Sequence, residues 1–143
     1  MTVTGRFAPT PSGRLHLGNL FCAMLSYLSA RSQGGRFLLR IEDLDVPRCP
    51  PSLTRQAVDD LTWLGFRWDE PPLYQSQRTD KYRQALDALA ARGRIYPCFC
   101  TRAEIAASAV APHGDEGPIY PGTCRTLDPA TRERRMAAKP HAW

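Results

Sequence analysis

The first 42 residues constrain this chain more than anything that follows. Residues Thr2 to Phe7 form a short run able to make a strand, which stops at the Pro9/Pro11 segment. Leu17, Leu20, Phe21, Met24, Leu25 and Leu28 then recur at the spacing of one helical face. That periodicity predicts an amphipathic helix from His16 to Gln33 with its apolar face buried. Gly34 and Gly35 close it. Arg36 to Glu42, RFLLRIE, is a short apolar run that reads as a buried strand. Strand, helix and strand in so short a span make a βαβ unit with a right-handed crossover. The fold class is therefore α/β with a parallel sheet.

That reading gives a purpose to the irregular stretch RFAPTPSGRLHLGN, residues 6–19. A loop from a first strand into a helix lies on the carboxyl edge of a parallel sheet, where open α/β folds bind ligands. The helix N-terminus presents unpaired N–H groups and positive potential, which favours phosphate. Gly13 and Gly18 allow close approach of a nucleotide, His16 can donate to a phosphate oxygen, and the prolines stiffen the loop. HLGN on its own fits a plain connection, with a capping or packing histidine, at least as well.

Further along, Pro50-Pro51-Ser52 opens a helix through Leu64 with Ser52 as a candidate cap, and Gly65 ends it. RWDEPPLYQSQ reads as a turn-rich link, and a helix from Arg78 to Arg92 stops at Gly93. IYPCFC reads as a strand, Thr101 begins a short helical stretch, and Pro129 to Ala138 is helix-prone. The final AAKPHAW has neither cap nor polar tail, which predicts a truncated chain.

An apolar content of 43% and a charged content of 23% are those of a soluble globular protein. The net charge of +5 permits a polyanion partner, and the excess is nearly all arginine, which suits bidentate contact with phosphate or carboxylate. A GC-rich genome accounts for the arginine equally well. No apolar run reaches the ~20 residues of a membrane span, and no signal-peptide core opens the chain, so a cytoplasmic protein without membrane contact is expected. Five cysteines, with Cys98, Cys100 and Cys124 late in the chain, argue for metal or reactive thiols over disulfides. Three thiolates and a fourth ligand complete a tetrahedral zinc site, and three unrelated cysteines are an equal reading. On chemistry alone His113 is a better fourth ligand than Tyr120.

Residues 6–19 resemble the first signature of the class I aminoacyl-tRNA synthetases in its glutamate-specific form, and RIEDLD, residues 40–45, resembles their second block. The pattern Cys98-x-Cys100 with Tyr120-x3-Cys124 in IYPGTC, together with YLSAR, LYQSQR and YRQAL, is similar to the glutamyl-queuosine tRNA(Asp) synthetases. These are shortened paralogues without an anticodon-binding domain. The resemblance covers almost the whole chain.

The resemblance implies the first part of a class I synthetase Rossmann-like sheet, residues 1–97, a zinc-binding insertion, 98–124, and the start of the remaining catalytic domain, 125–143. It implies a glutamate site at Arg6, Thr10 and Glu42, with Arg6 on the side-chain carboxylate and Glu42 on the α-amino group. It implies an ATP site at Ala8, His16, Gly18 and Asn19, the last three also catalytic. Zinc falls to Cys98, Cys100, Tyr120 and Cys124, leaving His113 as a loop residue and Cys22 and Cys49 as structural. Without the family, Glu42, Asp43 and Asp45 also read as a solvated acidic strand end.

The implied activity is tRNA-independent activation of L-glutamate with ATP and Mg²⁺, then transfer to queuosine of tRNA(Asp), by a monomer. The family's later lysine-rich signature loop and the residues that complete the glutamate pocket are absent from this sequence. That predicts an inactive chain with an open sheet edge and an open apolar face. A fragment of an ordinary glutamyl- or glutaminyl-tRNA synthetase and an inert zinc-binding remnant are the other readings.

Overall fold

Strands β1 (Thr4–Phe7) and β2 (Arg36–Ile41) pair in parallel, Thr4 opposite Arg36 and Phe7 opposite Leu39, with helix α1 (Leu17–Arg31) crossing between them. The predicted βαβ unit is present. The computed structural model describes residues 2–108 and 120–143 and divides into two units, Met1–Thr79 and Asp80–Trp143.

In the first unit, helix α2 (Pro51–Trp63) leads to a strand that the sequence did not reveal. The supposed link contains β3 (Leu73–Tyr74), which pairs in parallel with β2, and a 3-10 turn over Gln75–Arg78. Two residues are too few to show a strand's alternation. The sheet order is β1-β2-β3. Crossovers between parallel strands are right-handed as a rule, and two that step the same way put both helices on one face. Accordingly Phe7, Phe37, Leu39 and Ile41 form one core with Ala23 of α1, Leu61 of α2 and Phe66. Burying side chains such as Phe37, Ile41 and Leu61 contributes about 1.5–3 kcal/mol each.

Helix α1 meets β1 without room for a side chain at Gly5. A Cβ there would stand 2.7 Å from the Ser26 carbonyl oxygen. The Ser26 hydroxyl fixes the same contact, accepting the Arg6 N–H and donating to the Arg6 carbonyl, both at 3.1 Å. This close approach corrects the expected buried face of α1. The helix packs on its small residues, Ala23 at 0% and Ala30 at 1% exposure, while Leu17, Phe21, Met24, Leu25 and Leu28 are exposed. Periodicity finds an apolar stripe but not what covers it. Cys22, expected to be structural, is also exposed, whereas Cys49 is buried.

The helix boundaries follow local chemistry. His16 is the N-cap of α1, and α2 is capped by Pro50 with Pro51 as its first residue, which moves Ser52 inside the helix. Proline suits that position because its missing N–H would find no helical partner there. Asp69 ties the far end of the sheet. Its carboxylate accepts the Phe37 N–H at 2.6 Å and pairs with Arg31 at 2.9 Å. The Phe37 N–H first, and Arg31 second, hold this carboxyl below the usual carboxylate range.

The second unit holds most of α3 (Thr79–Ala91), then α4 (Arg102–Ser108) and α5 (Pro129–Ala138). Thr101 and Glu104 cap α4 reciprocally, the Thr101 N–H donating to Glu104 at 2.6 Å and the Glu104 N–H to the Thr101 hydroxyl at 3.2 Å. Asp128 caps α5 by accepting the Thr131 N–H at 2.9 Å. The expected IYPCFC strand is absent. Only an antiparallel bridge, Cys98 with Ala142, forms there. The Phe99 N–H goes instead to the Cys124 sulfur at 3.4 Å, so the segment's hydrogen bonding serves the cysteine cluster.

Candidate active site and metal centre

The first unit gathers the predicted ligand-binding residues along the carboxyl edge of its sheet. Beyond Phe7 the chain stays in ladder register for one more bond, from the Glu42 N–H to the Pro9 carbonyl at 3.0 Å. Pro9 and Pro11 are buried, which seats the loop, while Thr10 between them is exposed. Side chains alternate across a strand. Phe7 therefore faces the core, and Arg6 and Ala8 face the opposite side of the sheet. Leu38, Arg40 and Glu42 of the neighbouring segment share that side. Among the described residues the Arg6 guanidinium forms no ion pair. Glu42 is paired with Arg40 through Arg40 Nη2 and Glu42 Oε1.

His16, Gly18 and Asn19 form one local unit. The His16 N–H donates to Asn19 Oδ1 at 3.1 Å, half of a capping box that fixes the entry into α1. The imidazole lies back over Gly18, where a Cβ would meet His16 Cε1 and Nδ1 at 3.1 Å. All three sit in the first turn, beside helix N–H groups that lack intrahelical partners.

The acidic strand end is organised rather than freely solvated. Asp43 accepts the Ser76 N–H at 2.9 Å and the Ser76 hydroxyl at 2.6 Å, which binds the turn after β3 to the end of β2. Arg40 and Ser76 escaped the sequence reading. The signal for Arg40 was available: Arg36, Arg40 and Glu42 recur at even spacing on a strand whose odd positions are apolar.

In the second unit Cys98, Cys100 and Cys124 converge, their sulfurs all within 4.8 Å of one another. The Cys100 and Cys124 sulfurs are 3.6 Å apart, and Tyr120 Oη lies 3.4 Å from Cys98 Sγ. A tetrahedral zinc with Zn–S bonds of about 2.3 Å needs sulfurs roughly 3.8 Å apart, so the donor set fits that ion. Tyr120 also accepts the Cys124 N–H at 3.0 Å. His113, the alternative fourth ligand, lies outside the described residues. Burial, with Cys124 alongside, pushes the Cys100 thiol up to about 11. The contact with Cys98, ahead of burial, raises the Tyr120 hydroxyl. Burial also works to raise Cys124, but the Phe99 N–H and the neighbouring Cys100, Tyr120 and Cys98 outweigh it and lower its value.

Residues 2–141 match the family described as tRNA synthetases class I (E and Q), catalytic domain. The chain belongs to this family. Within it, the chain is similar to the glutamyl-Q tRNA(Asp) synthetase of Symbiobacterium thermophilum, 56% identical over 93% of this chain and 44% of that protein. The protein of the same name from Nocardia farcinica is 51% identical over 96% of this chain and 44% of its own length. The chain therefore spans under half the length of these relatives. Among solved structures, the glutamate–tRNA synthetase of Elizabethkingia anophelis superposes with a TM-score of 0.79 at 31% identity, covering 99% of this chain and 32% of that one. These class I synthetase relatives agree with the parallel sheet and its helices. No helix among the described residues is long and apolar enough to cross a membrane.

Proposed function

We propose that this chain contributes the first part of the catalytic apparatus of a glutamyl-Q tRNA(Asp) synthetase, which activates L-glutamate with ATP and passes it to the queuosine base of tRNA(Asp). The observation that carries this reading is the Tyr120 hydroxyl seated among the Cys98, Cys100 and Cys124 groups. Phenolate is an uncommon zinc ligand, and this Cys, Cys, Tyr, Cys pattern resembles the glutamyl-queuosine group. The 56% identity to a relative of that name supports it.

In this reading Arg6 takes the substrate's side-chain carboxylate by a charge-assisted fork. Thr10 touches the same amino acid, and Glu42 receives its α-ammonium. Ala8, His16, Gly18 and Asn19 line ATP, with His16 donating to the phosphate where charge develops. The α-carboxylate of glutamate attacks the α-phosphorus of ATP, forming the acyl-phosphate bond of the adenylate as pyrophosphate leaves with Mg²⁺. That carboxylate is already ionised at neutral pH, so no general base is needed. Positioning and charge neutralisation carry the step. A queuosine hydroxyl then takes the glutamyl group and AMP leaves.

Zinc, held by Cys98, Cys100, Tyr120 and Cys124, supplies a structural cross-link. The enzyme works as a monomer, with 1–97 as the start of the nucleotide-binding domain, 98–124 as the zinc insertion and 125–143 as a return to the catalytic domain.

The test replaces the matching segment of the Symbiobacterium relative with residues 1–143 and measures glutamate-dependent ATP–pyrophosphate exchange without tRNA. Exchange with glutamate, and labelling of queuosine-containing tRNA(Asp), is the expected result. Labelling of the 3′ end of a glutamate tRNA instead would make this an ordinary glutamyl-tRNA synthetase. The 143-residue chain by itself is expected to show no exchange.

A further inference from the structure

We propose that Arg40 is a positioning residue of the amino-acid site, holding Glu42 by one carboxylate oxygen so that the other is presented to the substrate ammonium. The inference rests on the reading of Glu42 given above. Arg40 Nη2 bonds Glu42 Oε1, and the two side chains are only 29% and 31% exposed. Two residues apart on one extended segment, both project from the same face, the face that also carries Arg6 and Ala8. Among the described residues Glu42 Oε2 accepts no hydrogen bond, whereas an ionised carboxylate has about four acceptor sites. Glu42 can therefore hold the guanidinium and an ammonium together.

Arg40 is not placed to satisfy itself. Its Nε is buried and has no hydrogen-bond partner, an arrangement that costs free energy. The guanidinium is set by its contact with Glu42 and not by a complete set of acceptors of its own. Without it, Glu42 sits at the end of a strand with its side-chain torsions free. An ammonium arriving there would have to order the carboxylate as well as bind it. Lysine retains the charge of Arg40 but not its planar fork, so it restores the orientation only in part.

The experiment compares Arg40→Gln and Arg40→Lys in the active chimera. It measures KM for glutamate, KM for ATP, and the inhibition constant of glutarate, the same diacid without the amino group. Arg40→Gln is expected to raise KM for glutamate about tenfold, the size of one charge-assisted hydrogen bond, with glutarate inhibition and KM for ATP unchanged. Arg40→Lys falls between the two. Weakening of glutamate and glutarate alike, or no change in either, would overturn the proposal, as would variants that both fail to fold. A parent chimera without glutamate-dependent exchange would instead refute the functional reading itself.

Discussion

The Glu42 N–H donates to the Pro9 carbonyl at 3.0 Å, one ladder bond beyond the last paired residues of the first two strands. That bond locks the irregular loop against the acidic strand end. It brings two sequence signatures, separated by a whole helix, onto one sheet edge.

The His16–Gly18 contact is expected to separate effects on stability from effects on exchange. Gly18→Ala puts a methyl group against the imidazole. Alanine in place of glycine in a helix is worth up to about 1 kcal/mol, more in an interior turn than in a first one. The variant is expected to melt no lower than the parent, yet to lose roughly tenfold or more in exchange rate if a displaced His16 forfeits part of its charge stabilisation. Thermal melts and exchange assays on the same preparation decide it.

Removing the imidazole itself is a stronger change. His16→Ala is expected to lower the exchange rate about 10²–10³-fold, the loss typical of a donor aimed at developing phosphate charge. KM for glutamate should be unaffected, because the proposed site assigns that amino acid to Arg6, Thr10 and Glu42. A large rise in KM for glutamate would contradict the division of the site.

Metal content tests the cluster directly. The folded chain is expected to carry one zinc ion, bound by the residues that converge around Cys124. Cys100→Ser or Cys124→Ser should abolish it, and Tyr120→Phe should weaken it while leaving the chain folded. Elemental analysis after dialysis against a chelator gives the answer. A Tyr120→Phe protein that holds zinc as tightly as the parent would remove the phenol from the ligand set.

Acid stability depends on Asp69. Its folded value is depressed, so its contribution is complete above the ordinary carboxylate value and is lost as pH falls through the folded one. Asp69→Asn is therefore expected to lower the melting temperature at neutral pH and to flatten its decline in acid. Melting curves from neutral pH down to about pH 2 would show parallel declines in the two proteins if Asp69 were not involved.

The two faces of α1 differ in their tolerance. Phe21→Glu and Leu28→Glu alter exposed positions, and each should change stability by no more than about 0.5 kcal/mol. Ala23→Leu overfills a fully buried site and should cost about 1–3 kcal/mol. The reverse order in denaturant titrations would restore the face that periodicity favoured.

How much could be read beforehand depended on the range of the signal. Helix stops, the first βαβ unit and α5 are local patterns, and they lie where the residues predict. β3 was missed because two residues carry no period. The packed face of α1 was misassigned because Gly5 and Ser26, which set that contact, stand 21 positions apart in a sequence where neither residue type signals packing. The cysteine cluster was legible as chemistry, but choosing Tyr120 over His113 needed a resemblance to relatives. Arg40 was overlooked because a basic residue in a strand is usually read as solvent-facing.

In the function proposed above, this chain carries the glutamate- and ATP-binding edge of a glutamyl-Q tRNA(Asp) synthetase. Glutamate-dependent ATP–pyrophosphate exchange without tRNA, in the Symbiobacterium enzyme carrying residues 1–143 of this chain, tests it most directly. Exchange with glutamate, and none with aspartate or glutamine, is the expected result. A folded, zinc-loaded chimera that fails to exchange with glutamate, or that requires tRNA to do so, would contradict it.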